Sequence, residues 1–437
     1  MSNTRHAKEG SPISYGRYMS SPEFVQMRAI PGAAVAAKAE LYSGERERSL
    51  LFFLQALSLK DGALRRVAQT LKFIGQGEAK TACLLIDLCI NPKFRIGFSP
   101  ESSRKTLTSS SYVRLANAAR EYQKTYEARV RSEFILTTIG KEIFETLDYA
   151  LAIKKMVVIE GESGSGKTTA VKAWCDMHQG QVRFVSLSGI TNKTGFFRNL
   201  ATAIGLAASN RKASDMQGKV ENFFRKTRLM LVIDEAHYLF PQHQRSQSNP
   251  ELVDWVNTAL VNQHVPVALM CTDQFAKLKA RVEKRTGWTS EQLEHRVKRY
   301  KKLPSTPTKR DLEAVAAKLL AVRWNASAQQ WSIQGPNLSR NFIDLIVGYA
   351  LTCKMPLPAV SDTIEEARYQ ARMNGRVNIA AGDLRNALLN FRIPSDAALQ
   401  RAFERPEKRR FVTPRSPQTA TGAAHLQHRC NDVATLR

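Results

Sequence analysis

No apolar stretch in this 437-residue chain approaches the roughly 18–20 residues that a helix needs to cross a bilayer. The opening, MSNTRHAKEGSPISYGRYMS, lacks the apolar centre of a secretory signal. These absences argue against a membrane-spanning class, and a cytoplasmic location is expected. Cysteine is sparse and scattered, at positions 83, 89, 175, 271, 353 and 430, with no C-x-x-C pair and no zinc-finger spacing. That excludes a disulfide framework and a sequence-encoded zinc motif, and predicts reduced thiols. Cys175 and Cys271 fall inside apolar patterns and read as core residues. Acidic residues are also short, with 39 Asp and Glu against 65 Lys and Arg, a formal charge of +26. An excess of that size points to a polyanionic partner, either nucleic acid or an anionic membrane surface. The remaining composition, 43% hydrophobic and 24% charged, is that of a folded soluble protein with room for two or three domains.

What is present is a sharply defined motif. GESGSGKTTA, from Gly161 to Ala170, fits the phosphate-binding pattern G-x-x-x-x-G-K-T. Gly161, Gly164 and Gly166 let backbone N–H groups turn inward around phosphate oxygens, with Glu162, Ser163 and Ser165 filling the loop. Lys167 is expected to reach the β- and γ-phosphates, and the Thr168 hydroxyl to ligate Mg2+. Thr169 follows in the first turn of a helix whose positive end faces the same place. LMLVIDEAH supplies the second half: a buried strand that delivers Asp234, expected to hold magnesium, and Glu235, expected to orient or deprotonate water. ATP with Mg2+ is therefore the expected cofactor, and hydrolysis to ADP and phosphate the expected reaction. VPVALMCTD ends in Thr272, a candidate to report the γ-phosphate, with Asp273 beside it expected to cap the next helix. A superfamily 2 helicase would need a Ser-Ala-Thr motif and an Arg-rich second domain, and neither is visible.

The order of elements predicts an α/β fold. MVVIEG, QVRFVSLSG, LMLVIDEAH and VPVALMCTD are apolar runs divided by helical patterns, which indicates a parallel sheet covered on both faces. Residues 1–40 read as a flexible arm, 41–130 as a helical region, 131–305 as the α/β domain, 306–392 as a helical lid, and 393–437 as a disordered basic tail. Within the helical region Leu64, Val67, Leu71 and Ile74 recur at helical spacing, a pattern shared by helix-turn-helix modules and ordinary bundles. Between Lys277 and Arg310 stand 12 basic residues against 3 acidic, mostly read as a solvated basic helix.

The succession of phosphate loop, DEAH, polar strand end, QLEHRVKRYKKL and helical lid resembles the AAA+ ATPases (P-loop proteins of the ASCE type). SEFILTTIGKEIFETLDYALAIKKMVVIEGESGSGKTTA and VSLSGITNKTGFFRNLATAIGL are further similar to the ATPases that help bacterial transposases choose DNA targets, the phage Mu B type. The resemblance spans roughly residues 134–389. It implies self-assembly into a ring or helical filament on duplex DNA, largely without sequence preference, and a transposase or other recombination protein as partner. It places Arg296 at the subunit boundary as an arginine acting in trans, with Arg299 as second candidate. Lys193 and Thr194 would face DNA phosphates, with Asn192 and Arg198 nearby. Related lids carry a Gly-x-x-Arg that touches nucleotide. Here CKMPLP stands instead, which leaves two alternatives: Lys354 as the substitute, or a lid without nucleotide sensing. Two other AAA+ readings share the central domain: an ATPase of secretion or membrane assembly, and an origin-recognition or anti-phage ATPase.

Overall fold

The computed structural model describes residues 29–60, 63–71, 77–92, 96, 110–187, 192–206, 212–242, 248–325, 330–333 and 340–390. Residues 1–28, most of the polar break at 99–111, residues 188–191 and the tail expected at 393–437 lie outside the described residues.

The chain opens with α1 (Gly32–Ala39), α2 (Glu45–Ser58), α3 (Ala63–Leu71), α4 (Glu78–Ile90) and the long α5 (Ser110–Glu133). Then follow α6 (Thr138–Ile153), β1 (Met156–Glu160), α7 (Lys167–Met177), β2 (Val182–Ser186), α8 (Lys193–Ala203), α9 (Ala213–Thr227) and β3 (Met230–Asp234). Next come α10 (Glu251–Trp255), β4 (Val267–Cys271), α11 (Gln274–Thr286), α12 (Glu291–Arg296) and β5 (Val297–Lys302). The last part holds α13 (Lys309–Ala321), a hairpin of β6 (Val322–Asn325) and β7 (Gln330–Ile333), α14 (Arg340–Ala350), α15 (Pro356–Met373) and α16 (Ala381–Asn390).

The five strands form one parallel sheet in the order β2-β3-β4-β1-β5. Side chains alternate across it with the two-residue period of a strand. Val158, Leu231, Ile233, Val267 and Leu269 enter one apolar cluster, and Val157, Ile159, Met230, Val232, Ala268 and Met270 enter the other. Helices α6 and α7 cover the second face through Ile143, Leu147, Val171 and Trp174. A third cluster joins α13 to α16 into the lid, through residues such as Leu312, Ile346, Ile364 and Leu384. Thr308 and Asp311 open α13 with a capping box: Asp311 N donates to Thr308 Oγ1 at 3.2 Å, and Thr308 N to Asp311 Oδ2 at 3.0 Å.

Several expectations change. Gly32–Ala39, expected within a flexible arm, is a helix, because Val35, Ala36 and Ala39 bury a small apolar face and Gly32 N bonds Gly205 O at 3.0 Å. The boundary drawn at residue 131 falls inside α5. The basic stretch expected as a helix holds α11, α12 and then a strand: β5 is the edge strand beside β1. Its run VKRYKK carries no apolar signal because most of its side chains face solvent. The lid, expected to be helical throughout, contains the β6–β7 hairpin. The α3–α4 pair offers no free recognition helix, since Cys83, Leu85, Ile86, Leu88 and Cys89 bury α4 in the core.

The N-terminal helices share the first apolar cluster with the sheet, so they extend the α/β domain without a break. The polar centre of that join is Arg183 on β2, 4% exposed. Its guanidinium donates to Phe52 O (3.1 Å) and Gln55 Oε1 (2.5 Å) on α2, and to Gln179 O (2.6 Å) and Val182 O (2.7 Å). Burial lowers its pKa, and these oxygens replace the water that the cation has lost. Arg183→Ala strips donors from several buried acceptors, and we expect it to lower stability by about 3 kcal/mol. Urea denaturation should show an earlier midpoint at unchanged slope; an unchanged midpoint would mean that α2 is held by apolar packing alone.

Candidate nucleotide site

The strand order sets the site. β1, β4 and β3 are neighbours, so the residues following their C-terminal ends, Gly161, Thr272 and Glu235, lie along one rim of the sheet. Gly161 N donates to Cys271 O at 3.1 Å, which ties the start of the phosphate loop to the end of β4. Gly164 (φ 77°) and Gly166 (φ 85°) take the left-handed backbone that glycine permits, and Gly166 N-caps α7. A Cβ on Gly164 would sit 2.8 Å from Met355, and one on Gly166 3.0 Å from Leu357 Cδ1. The lid therefore rests directly on the loop.

Lys167 is 7% exposed, and its Nζ folds back onto Gly161 O (2.6 Å) and Glu162 O (2.5 Å). Burial lowers its pKa, while Glu235 and Asp234 pull the other way. Thr168 Oγ1 donates to Asp234 Oδ2 at 2.8 Å, and Glu235 N to Asp234 Oδ1 at 3.0 Å. Asp234 is buried, whereas Glu235 is partly exposed with a left-handed backbone, φ 56°. The hydroxyls of Ser165 and Thr272 are buried and find no partner in the protein.

Lys167, Thr168, Glu235 and Thr272 face a cavity of about 500 Å³. Ser163, Gly164, Gly166, Lys167, Thr168, Thr169, Glu235 and Thr272 line its polar end. Its other end is apolar, built from Phe134 and Ile135 after α5, Val315 and Leu319 on α13, and Leu357 and Pro358 on α15. A nucleotide fits this division: the glycine loop and Lys167 suit phosphates, the orphaned Thr272 hydroxyl suits a phosphate oxygen, and the apolar end suits a base. No cluster of three acidic, His or Cys ligands occurs among the described residues. A magnesium ion would thus find Thr168 and Asp234 as its protein contacts, leaning otherwise on phosphate and water. When bound, it would neutralise phosphate charge.

Residues 153–278 match the model of a family described as AAA domain. This segment is an AAA domain. Over 106 residues the chain is 25% identical to the Mu-like prophage FluMu DNA transposition protein B of Haemophilus influenzae, a match covering 24% of this chain and 37% of that one. Little more than a third of that relative is therefore spanned. Solved structures of similar chain path include the Aeropyrum pernix ORC2 protein in its ADP form, at TM-score 0.41 and 15% identity over 61% of this chain and 67% of that chain. Cdc6p of Pyrobaculum aerophilum follows at 0.40 and 16%, over 56% and 65%. Likenesses this distant decide nothing about the site, which rests on the geometry of the AAA domain itself.

Other expected residues stand apart from the cavity. Arg296 ends α12 and turns to its own surface, Nε donating to Asn262 Oδ1 (2.7 Å) and Nη1 to Gln292 O (3.0 Å). Arg299 stacks on Tyr149, 3.8 Å from the ring centre. Asp273 stands at the start of α11 with its carboxylate against Lys277. Lys354 is exposed and does not line the cavity; Met355 and Leu357 are the lid residues that meet the loop. Asn192 caps α8 by accepting from Gly195 N at 2.7 Å, and Lys193 pairs with Glu251 at 3.1 Å. Thr194 is half-buried and Arg198 exposed. The apolar end of the cavity was not foreseen, because its residues come from three elements far apart in sequence.

Glu235→Gln should leave nucleotide affinity intact while nearly abolishing turnover, since the phosphate cradle is untouched and the water-facing carboxylate is lost. Lys167→Ala should weaken binding itself. Fluorescent-nucleotide binding and phosphate release measured on both variants check this; wild-type turnover by Glu235→Gln would reject Glu235 as base.

Proposed function

We propose that the protein is an ATPase that assembles on duplex DNA and regulates transposition, through target choice or transposase activation. The observation that carries the hydrolytic part is Glu235, beside the Thr168–Asp234 hydrogen bond at the polar end of a nucleotide-sized cavity. In this reading Glu235 accepts a proton from water as the water oxygen bonds to the terminal phosphorus. The bond from that phosphorus to the bridging oxygen breaks, and ADP leaves. Lys167 and the loop amides hold the phosphates in line, and Thr272 donates to the terminal phosphate.

The DNA part is supported by the net charge of +26 and by similarity to a DNA transposition protein B. No helix among the described residues is long and apolar enough to cross a membrane. Arg296 is assigned to a neighbouring subunit's nucleotide, because its own chain holds it at the surface, outside the cavity. Lys193, Thr194, Asn192 and Arg198 are assigned to the DNA-facing side. Lys193 would exchange Glu251 for phosphate, and Asn192 would contribute its amide while still capping α8.

Arg296→Ala is expected to bind ATP and fail to hydrolyse it, and mixing it with Lys167→Ala subunits should restore part of the turnover. An arginine in trans is worth about 10³–10⁵ in rate. No rescue at any ratio, with activity independent of protein concentration, would point to a cis-acting monomer.

DNA affinity should fall steeply with salt, by about 0.9 log units per neutralised phosphate for each log unit of salt. It should rise with ATP and with duplex length, and vary little with sequence. Titrations on short and long duplexes at several salt concentrations read all of these. Salt-insensitive binding, or none with ATP present, would favour an ATPase of secretion or membrane assembly.

A further inference from the structure

His237 has no role in the reading above, yet it is placed against the residue on which hydrolysis depends. It lies in the short 3₁₀ turn Ala236–Leu239, 4% exposed, with its ring against Tyr238. Its Nδ1 stands 3.3 Å from Glu235 Oε2 and makes no aligned hydrogen bond with any atom of the protein. The backbone of the turn is secured elsewhere. Tyr238 N donates to Glu235 O at 3.0 Å, Phe240 N to His237 O at 3.2 Å, and Gln242 Nε2 to His237 O at 2.9 Å. Nδ1 is thus a buried ring nitrogen with Glu235 Oε2 as its near neighbour.

We propose that His237 is the positioning residue for Glu235: its Nδ1–H donates to Oε2, fixing one carboxylate oxygen and leaving Oε1 to face the attacking water. This rests on the reading of Glu235 as the base. A buried donor left without an acceptor is disfavoured, and a small rotation of the carboxylate aligns the pair. The left-handed backbone of Glu235 (φ 56°) sets that carboxylate beside the imidazole and the cavity together. Burial lowers the imidazole's pKa, with Glu235 and Asp234 opposing and Lys167 assisting. A neutral N–H donor orients a carboxylate without weakening it as a base to the extent that a cation would.

Three variants decide the matter. In a side-chain amide, Asn carries its N–H near the place of imidazole Nδ1, and Gln carries it near Nε2. His237→Ala should lower kcat about tenfold or more while ATP affinity and KM stay within about twofold, the signature of a lost orientation effect. His237→Asn should keep kcat within about threefold of the parent, and His237→Gln should fall with the alanine variant. Equal losses in the Asn and Gln variants, or wild-type turnover in all three, would overturn the proposal. The Asn–Gln contrast still reads if the alanine variant fails to fold. Glu235→Gln, measured alongside, separates the two ideas. If it is inactive while His237→Ala is unaffected, only the positioning role falls; if it is active, the base assignment falls and takes the positioning role with it.

Discussion

The hydrogen bond from Thr168 Oγ1 to Asp234 Oδ2 joins the two halves of the candidate site, and it depends on strand order. Thr168 arrives on the helix after β1, Asp234 at the end of β3, and β4 lies between those strands. Because the three strands run parallel, their ends fall on one rim. A change of direction in any of them would carry one partner to the far side of the sheet. The apolar alternation along these strands therefore does more than fill two core layers. It fixes the register in which phosphate loop, carboxylates and Thr272 meet.

A parallel sheet must be covered on both faces, and this chain covers one of them with a surplus of helix. α6 and α7 close one side, while the N-terminal helices extend the apolar cluster on the other. The cavity draws on the same continuity. Phe134 and Ile135 continue directly from α5, whose body packs among the N-terminal helices, so one wall of the cavity's apolar end is an extension of that bundle. The opposite wall comes from the lid. Asp311, which caps α13, also accepts from Thr138 N at 2.8 Å, so a single carboxylate pins the lid's first helix to the start of α6.

The polar end of the site was legible in the sequence because its chemistry tolerates little variation. Backbone amides can surround phosphate only where glycines allow it, and lysine and threonine must follow at fixed steps. β1, β3 and β4 were legible as unbroken apolar runs. β5 was not, since an edge strand half in water can be written as VKRYKK. α1 was hidden by its small residues, whose burial depends on Gly205 and on helices distant in sequence. The apolar end of the cavity was hidden for a related reason: Phe134, Val315 and Leu357 look like ordinary core residues until the fold brings them together. His237 was visible within DEAH, but nothing in a linear reading aims its ring at Glu235.

Sheet edges are where copies of a β-containing protein adhere by mistake, and those of this sheet are guarded in different ways. β2 is tied to α2 through Arg183, and β5, the opposite edge, carries Lys298, Arg299, Lys301 and Lys302, of which Arg299 turns to Tyr149 and Lys301 to Glu142. Lys298 and Lys302 stay exposed, and a second strand approaching β5 would meet their like charge. Strand-to-strand fusion of two copies through this border is thereby disfavoured.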